Sequence, residues 1–111
     1  MPGSPLDVRI HPDTLRSRDS STFSGSYQTL GTPLPYNSRL IKFTNNSNQS
    51  VTISWDGIND HEFVPSNSFV LLDISTNRET ANHFDVPANT QFYVKGTAGV
   101  GSIYLSVYYA T

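Results

Sequence analysis

The stretch Val51-Thr52-Ile53-Ser54-Trp55-Asp56-Gly57 has the clearest strand pattern of this 111-residue chain and contains its only tryptophan. Its apolar residues fall on one face of a two-residue period and its polar residues fall on the other, which is typical of a strand with one buried face. Polar turn residues precede it at 45–49 and follow it at 59–60. The stretch therefore predicts a half-buried strand whose apolar face is covered by a second sheet.

The same layout recurs along the chain, as short alternating segments separated by turns rich in Asn, Gly, Pro and Ser. These segments are residues 27–30, 39–45, 61–64, 68–75, 84–86, 91–95 and 102–110. The charged fraction is only 14%, and Ser, Thr and Asn dominate the polar residues, which favours strands over helices. About eight short strands without a helical period predict an all-β fold, an antiparallel β-sandwich of the jelly-roll type.

Residues 1–26 show no sustained period, and Pro2, Pro5 and Pro12 interrupt them. We therefore expect an irregular, extended N-terminal arm at 1–26 and the β-sandwich domain at 27–111. The alternation within residues 6–10 indicates a short strand that pairs with or lies across another chain. A disordered arm is the open alternative.

Composition limits the chemistry and the partners. The chain has no cysteine, so it has neither a disulfide framework nor a thiolate zinc site. Residues 1–50 carry a net charge of +2 and residues 51–111 a net charge of −4, which argues against nucleic-acid binding by the body. No apolar run approaches the length of a membrane span, and no signal-peptide pattern is present. We expect a soluble, unsecreted protein without nucleic-acid or membrane partners.

The acidic segment at residues 56–62 is the most site-like part of the sequence. Its crowded oxygen ligands suit Ca²⁺, and Asp60 with His61 would suit a transition metal. The spacing does not match an EF-hand loop, and Asp-Gly and Asn-Asp are ordinary turn residues. We favour a structural turn and expect no metal and no other cofactor.

Catalytic patterns are not found. The chain has no Gly-x-Ser-x-Gly elbow, and His11, His61 and His83 have no identifiable orienting acid. The glycine-rich residues 96–101 lack the Lys-Ser/Thr of a phosphate-binding loop, so a hairpin is the favoured interpretation. We expect a protein that is not an enzyme.

Exposed apolar and aromatic side chains make a stronger case for binding, because several fall opposite the main apolar rows of their strands. The interface candidates are Tyr36, Phe69, Leu71, Tyr93, Tyr104 and Tyr108. Such residues suit protein interfaces and can also stack on sugar rings. The two alternatives are a glycan site and burial of both faces; we favour a protein interface.

Five segments together resemble a family of small virion proteins of tailed phages, the capsid cement or stapling proteins of podophages of the epsilon-15 group. The segments are RLIKFTN at 39–45, VTISWDG at 51–57, SFVLLD at 68–73, QFYVK at 91–95 and GSIYLS at 101–106. The resemblance covers residues 27–111 and is structural rather than catalytic. It implies a jelly-roll decoration protein on the outside of an icosahedral head that clamps neighbouring major capsid subunits as a homodimer near two-fold axes. It also implies a fold similar to carbohydrate-binding modules.

From this resemblance we expect a non-enzymatic bacteriophage structural protein, made in the host cytoplasm and located on the outer surface of the virion capsid. The arm is expected to dock on the major capsid protein, with apolar contacts and with arginines pairing with capsid carboxylates. The capsid-binding candidates are Leu6, Val8, Arg9, Ile10, Leu15, Arg16 and Arg18. Deleting residues 1–18 should then leave a folded β domain. The alternatives are a head-to-tail or tail component, and a carbohydrate-binding β-sandwich module on the virion.

Overall fold

The computed structural model describes residues 9–73 and 86–110, and this part of the chain consists of β-strands and one short 3-10 turn, Ser20–Thr22. The strands are β1 (Ile10–Pro12), β2 (Arg16–Asp19), β3 (Gln28–Thr29), β4 (Ser38–Ser47), β5 (Val51–Ser54), β6 (Glu62–Val64), β7 (Ser68–Asp73), β8 (Tyr93–Gly96) and β9 (Gly101–Ala110). They form two antiparallel sheets, so the predicted all-β class is confirmed.

The larger sheet has the order β1-β9-β4-β7, with β2 also pairing with β9, and the smaller sheet has the order β3-β8-β5-β6. The antiparallel pairs are nested: β5 pairs with β6, β4 with β7, β3 with β8 and β2 with β9. This is the pairing of one long hairpin that folds over on itself. The β4–β9 and β5–β8 pairs then complete the two sheets.

The hydrophobic core lies where the inner faces of the two sheets meet. The alternation of the 51–57 stretch is observed at Val51, Thr52 and Ile53, but Ser54, expected on the polar face, is also buried. Trp55 follows the end of β5 and packs half-buried on the core, with its ring 5.1 Å from that of Phe92 in an edge-to-face arrangement. Phe92 makes a second edge-to-face contact with Phe43 of β4 at 5.2 Å. The geometry is the one that aromatic pairs prefer, and it joins the two sheets.

Strand β4 runs two residues past the segment predicted at 39–45, because Asn46 and Ser47, assigned to a turn, pair with β9; Asn45 and Ser47 are buried there. Asn45 Nδ2 donates to the carbonyls of Gln49 (2.7 Å), Val64 (3.1 Å) and Pro65 (3.2 Å). Its Oδ1 accepts from the hydroxyl of Ser47 at 2.6 Å. A buried amide is tolerated when its hydrogen bonds are satisfied, and here they tie β4 to the β5–β6 hairpin.

The described part of the predicted arm, residues 9–26, is not irregular. Strands β1 and β2 pair antiparallel with β9, and Phe23 is buried in the core. The expected division between residues 26 and 27 therefore does not coincide with a structural boundary. Strand β2 was not predicted because its residues, Arg-Ser-Arg-Asp, show no apolar alternation. It forms by backbone pairing with the edge of β9, which needs no apolar pattern.

Some predicted features lie outside the described residues. They are Leu6 and Val8 of the arm, the end of the segment predicted at 68–75, and residues 84–85 of the segment predicted at 84–86. Of that last segment, Val86 is described; it is buried and forms an isolated antiparallel bridge with Ser38.

Candidate functional site

The face of the larger sheet that points away from the core includes β7, β4 and β9 side by side, and β1 and β2 continue the sheet beyond β9. Strand register places its side chains in three rows across β7, β4 and β9. We call this surface the outer face; its rows are Phe69-Thr44-Tyr104, Leu71-Lys42-Ser106 and Asp73-Leu40-Tyr108. Because alternate residues of a strand point to opposite faces, the buried residues between these positions line the core.

The outer face is apolar for a surface that nothing within residues 9–73 and 86–110 covers. Phe69 is 60% exposed, Leu71 is 53% exposed and Tyr108 is 37% exposed. Leu40 and Tyr104 are half-buried within the same surface. An antiparallel sheet with one solvated face normally presents polar side chains there, and contiguous exposed apolar patches mark interaction sites. This face is therefore the best candidate for a binding surface.

Lys42 occupies the central position of the outer face, between Leu71 and Ser106. Its Nζ lies 4.8 Å from the centroid of the Phe69 ring, a cation–π contact. No carboxylate of residues 9–73 or 86–110 forms an ion pair with this ammonium group. The outer face thus combines apolar area with one positive charge that lacks an anionic partner in the described part of the chain.

A shallow groove of about 270 Å³ crosses one end of the outer face. The rings of Phe69 and Tyr104 stand on either side of Thr44, and the amide groups of Asn46 and Asn67 lie at the groove's end. Aromatic faces beside amide groups can stack on a sugar ring and hydrogen-bond its hydroxyls. The groove is the one feature of this face that favours a small ligand.

The structure brings four of the six predicted interface candidates together on the outer face: Phe69, Leu71, Tyr104 and Tyr108. The other two lie elsewhere. Tyr36 stacks on the Tyr109 ring at 4.1 Å and is 48% exposed, and Tyr93 lies on β8 of the smaller sheet.

Sequence reasoning missed Leu40 and Lys42 as site residues. The alternation of 39–45 placed both opposite Ile41 and Phe43, which was the available signal. Which residues of β7 and β9 lie beside them depends on strand register, and register is not visible in a single strand.

Arg16 was predicted to pair with capsid carboxylates, and the structure does not support this. The residue is 6% exposed, and its guanidinium donates to the carbonyls of Thr32 (2.9 Å), Thr14 (2.9 Å) and Pro33 (3.3 Å). It also forms an ion pair with Asp13 at 3.4 Å. The fork of guanidinium donors suits this cluster of carbonyls, so Arg16 fastens β2 to the loop at 31–34 and is not available to a partner.

The remaining arm candidates divide into two groups. Arg18 is partly buried and bonds within the chain, donating to the Thr29 carbonyl at 2.9 Å and to the Gln28 side chain of β3. Arg9, Ile10 and Leu15 are exposed, with Ile10 at 50% and Leu15 at 58%. These exposed residues are the described part of the arm that a partner could contact.

Asp56 at the end of β5 organises its own loop. Its Oδ1 accepts from the backbone amides of Ile58 (2.8 Å) and Asn59 (2.9 Å) and from the Ser54 hydroxyl (2.8 Å). These hydrogen bonds to the charged form lower the pKa of this carboxyl, led by those from Asn59 and Ile58. The contacts favour the turn interpretation. In the described residues, no group of three or more His, Cys, Asp or Glu side chains could hold a metal ion.

The same loop is fastened to β8 by three side chains that we call the loop latch: Tyr27, Asp60 and Lys95. Lys95 Nζ forms an ion pair with Asp60 Oδ1 at 3.0 Å and lies 4.7 Å from the centroid of the Tyr27 ring. The Tyr27 hydroxyl donates to the same carboxylate, and this bond, followed by that of Lys95, lowers the pKa of Asp60. Burial and the neighbouring carboxylate raise the pKa of Tyr27. The latch covers part of the outward side of the smaller sheet.

Comparison with models of protein families, with curated proteins and with solved structures found no match for this chain. Within residues 9–73 and 86–110 there is no helix with the length and apolar character that crossing a bilayer requires. The outer face, the groove and the loop latch are therefore interpreted from their own chemistry.

Proposed function

We propose that this chain is a non-enzymatic capsid decoration protein of a tailed bacteriophage. It binds the outside of the icosahedral head and clamps neighbouring major capsid subunits. The observation that carries the proposal is the outer face, with its exposed Phe69, Leu71 and Tyr108 on a rigid sheet. A surface of this composition suits a lasting protein interface, in which aromatic residues are enriched.

We also propose that the two sheets form a jelly roll. Support comes from the nested antiparallel pairs, since folding one long hairpin over on itself generates this topology. Connections that pass between the sheets, such as those from β4 to β5 and from β6 to β7, belong to the same arrangement. The jelly roll is one of the folds that the resemblance to cement proteins implies.

The mechanism is binding alone. Contacts that exist in the assembled shell and disappear when it opens stabilise the assembled state by linkage. Many copies on one head multiply contacts of modest individual strength, so that the shell resists internal DNA pressure. A location on the outer capsid surface and a homodimeric state form part of the same proposal.

A second candidate function is glycan binding by a virion-borne module. The groove between Phe69 and Tyr104, with Asn46 and Asn67 at its end, favours this alternative. It predicts oligosaccharide binding that is lost in Tyr104→Ala while the fold is retained.

The two functions are separated by adding purified protein to phage heads that lack it and counting the copies retained, by sedimentation and gel densitometry. On the order of hundreds of copies at saturation is the expected result for a decoration protein, because icosahedral shells repeat each binding site many times. About a dozen copies or fewer would instead indicate a head-to-tail or tail component at a single vertex. No retention would contradict the capsid proposal and leave glycan binding to be tested.

A further inference from the structure

We propose that the outer face docks on an apolar surface of a partner protein that presents a carboxylate to Lys42. This inference rests on the proposed function and deepens it, because it states which surface of the chain meets the capsid and what chemistry the capsid offers there. It replaces the arm as the main contact, since Arg16 and Arg18 bond within the chain.

Lys42 would be covered by any partner that docks on the outer face. It lies at the centre of the outer face, with Leu71 and Ser106 beside it in its row and Leu40 and Thr44 on either side of it along β4. A partner that covers Phe69 and Leu71 must therefore also remove water from the ammonium group. A charge that is desolvated without a partner is strongly unfavourable.

The chain itself offsets only part of the cost of removing water from the Lys42 ammonium group. The Phe69 ring lies 4.8 Å from the ammonium and attracts it through the negative face of its π system. An ammonium group has three donors, and within the described residues it has no carboxylate partner. A docked partner that offers a carboxylate satisfies the remaining charge, and one that offers only apolar atoms does not.

A second copy of this chain is not the occupant that the charge favours. A dimer of identical chains is normally isologous, with the same patch on both sides of a two-fold axis. An axis through the centre of the outer face would bring the two Lys42 ammonium groups together in a desolvated interface, where like charges repel strongly. A homodimer of this chain would then place its two-fold axis away from Lys42.

The test measures retention of purified variants on heads that lack the protein, over a range of concentrations. Lys42→Glu should weaken retention by about 100-fold or more, because it sets two carboxylates against each other, and Lys42→Gln by about tenfold. Thr52→Glu is the matched control. It adds the same side chain to the outward side of the smaller sheet, where Thr52 faces Lys95 of β8, and should bind like wild type.

The apolar part of the surface has a closer control. Phe69 on β7 and Phe63 on β6 are both 60% exposed, and they lie on different sheets. Phe69→Ser should weaken retention by about tenfold or more, as loss of an aromatic anchor does, and Phe63→Ser should leave it unchanged. Circular dichroism and thermal melting confirm that each variant is folded before it is compared.

The outcomes distinguish the inference from the proposed function. If the Phe69→Ser and Lys42→Glu variants are retained on heads as well as wild type is, the outer face is not the docking surface. The proposed decoration function would still stand. If Phe69→Ser weakens retention on heads and Lys42→Glu does not, the inference that the partner presents a carboxylate to Lys42 would be overturned. If wild type forms dimers that Phe69→Ser dissociates, the occupant of the outer face is a second copy of this chain. If soluble oligosaccharide releases wild type from heads, the occupant is a glycan. No retention of wild type would reject both proposals.

Discussion

The outward sides of the two sheets each carry one lysine next to an aromatic ring, and the two lysines differ in whether a carboxylate is paired with them. Lys95 on the smaller sheet lies over Tyr27 and is paired with Asp60 at 3.0 Å. Lys42 on the larger sheet lies over Phe69, and the described residues give it no carboxylate. The smaller sheet satisfies its own cation, and the larger sheet carries one that has no carboxylate among the described residues.

The difference arises from the connections between strands. The segment between β5 and β6 folds back at Gly57, whose φ of 80° favours glycine. A Cβ there would lie 3.3 Å from the Tyr93 ring, so the loop packs closely against β8 and delivers Asp60 to Lys95. Strand β7, which bears both Phe69 and Leu71, has no described loop over it. Within the described residues, the two faces therefore differ by one loop, which covers part of the smaller sheet.

The largest expected effect comes from removing residues 1–19, which deletes β1 and β2 and exposes a backbone edge of β9. We expect loss of cooperative unfolding. Strands β1 and β2 pair with one side of β9, so their removal leaves that side of a central strand of the larger sheet without hydrogen-bond partners. Urea unfolding followed by circular dichroism measures this. A cooperative transition near that of the full chain would instead restore the expectation that the β domain folds without residues 1–18.

Arg16→Ala should come next, with a loss of about 3 to 5 kcal/mol in the free energy of unfolding, since it breaks a largely buried ion pair with Asp13 and leaves three part-buried carbonyls without their donor. Arg18→Ala is the control. Its guanidinium is partly buried and donates to the exposed Thr29 carbonyl and to the Gln28 side chain, so the loss should be about 1 to 2 kcal/mol. Equal losses of unfolding free energy in the two variants, measured by urea unfolding, would contradict the role of Arg16 in holding β2 to the loop at 31–34.

Acid should weaken the loop latch, and the sign follows from the lowered pKa of Asp60. A carboxyl whose pKa is lower in the folded state stabilises the protein above its unfolded pKa of about 3.9, and this contribution is lost as the pH falls below that value. We expect wild type to lose more unfolding free energy than Asp60→Asn between pH 6 and pH 2. Parallel curves of urea midpoint against pH for the two proteins would argue against the latch.

The smallest expected effect on stability sharpens the comparison of the two faces. Phe69→Ser and Phe63→Ser each remove an exposed ring, so each should change the free energy of unfolding by about 0.5 kcal/mol or less. Thermal melting measures both. A loss of several kcal/mol for Phe69→Ser would show that the ring holds the sheet together, and the outer face would then lose its interpretation as a binding surface.

Strand alternation predicted much of this architecture from sequence. The two-sided pattern of 68–75 correctly placed Phe69 and Leu71 opposite Val70 and Leu72, which pack on the core. The pattern of 102–110 likewise placed Tyr104 and Tyr108 away from the core. Both predictions succeed because side-chain direction in a strand follows a period of two regardless of its neighbours.

The features that sequence did not predict depend on contacts between distant segments. The burial of Arg16 requires the carbonyls of Thr32 and Pro33, which approach it only after β2 has paired with β9. The position of Lys42 beside Phe69 likewise depends on the register of β4 with β7. No local pattern records either arrangement, because both are set by how strands align after the chain has folded.

The long pairing of β9 with β4 has a consequence for how the protein is made. Strand β9 (Gly101–Ala110) contacts β1, β2 and β4, and it is synthesised after every other strand described. Until it emerges from the ribosome, β1 and β2 lack the strand they pair with, and β4 has one open edge. Folding therefore waits for the whole segment, and these long-range pairings make it slow. The nascent chain would therefore expose apolar strand faces until β9 is available to pair.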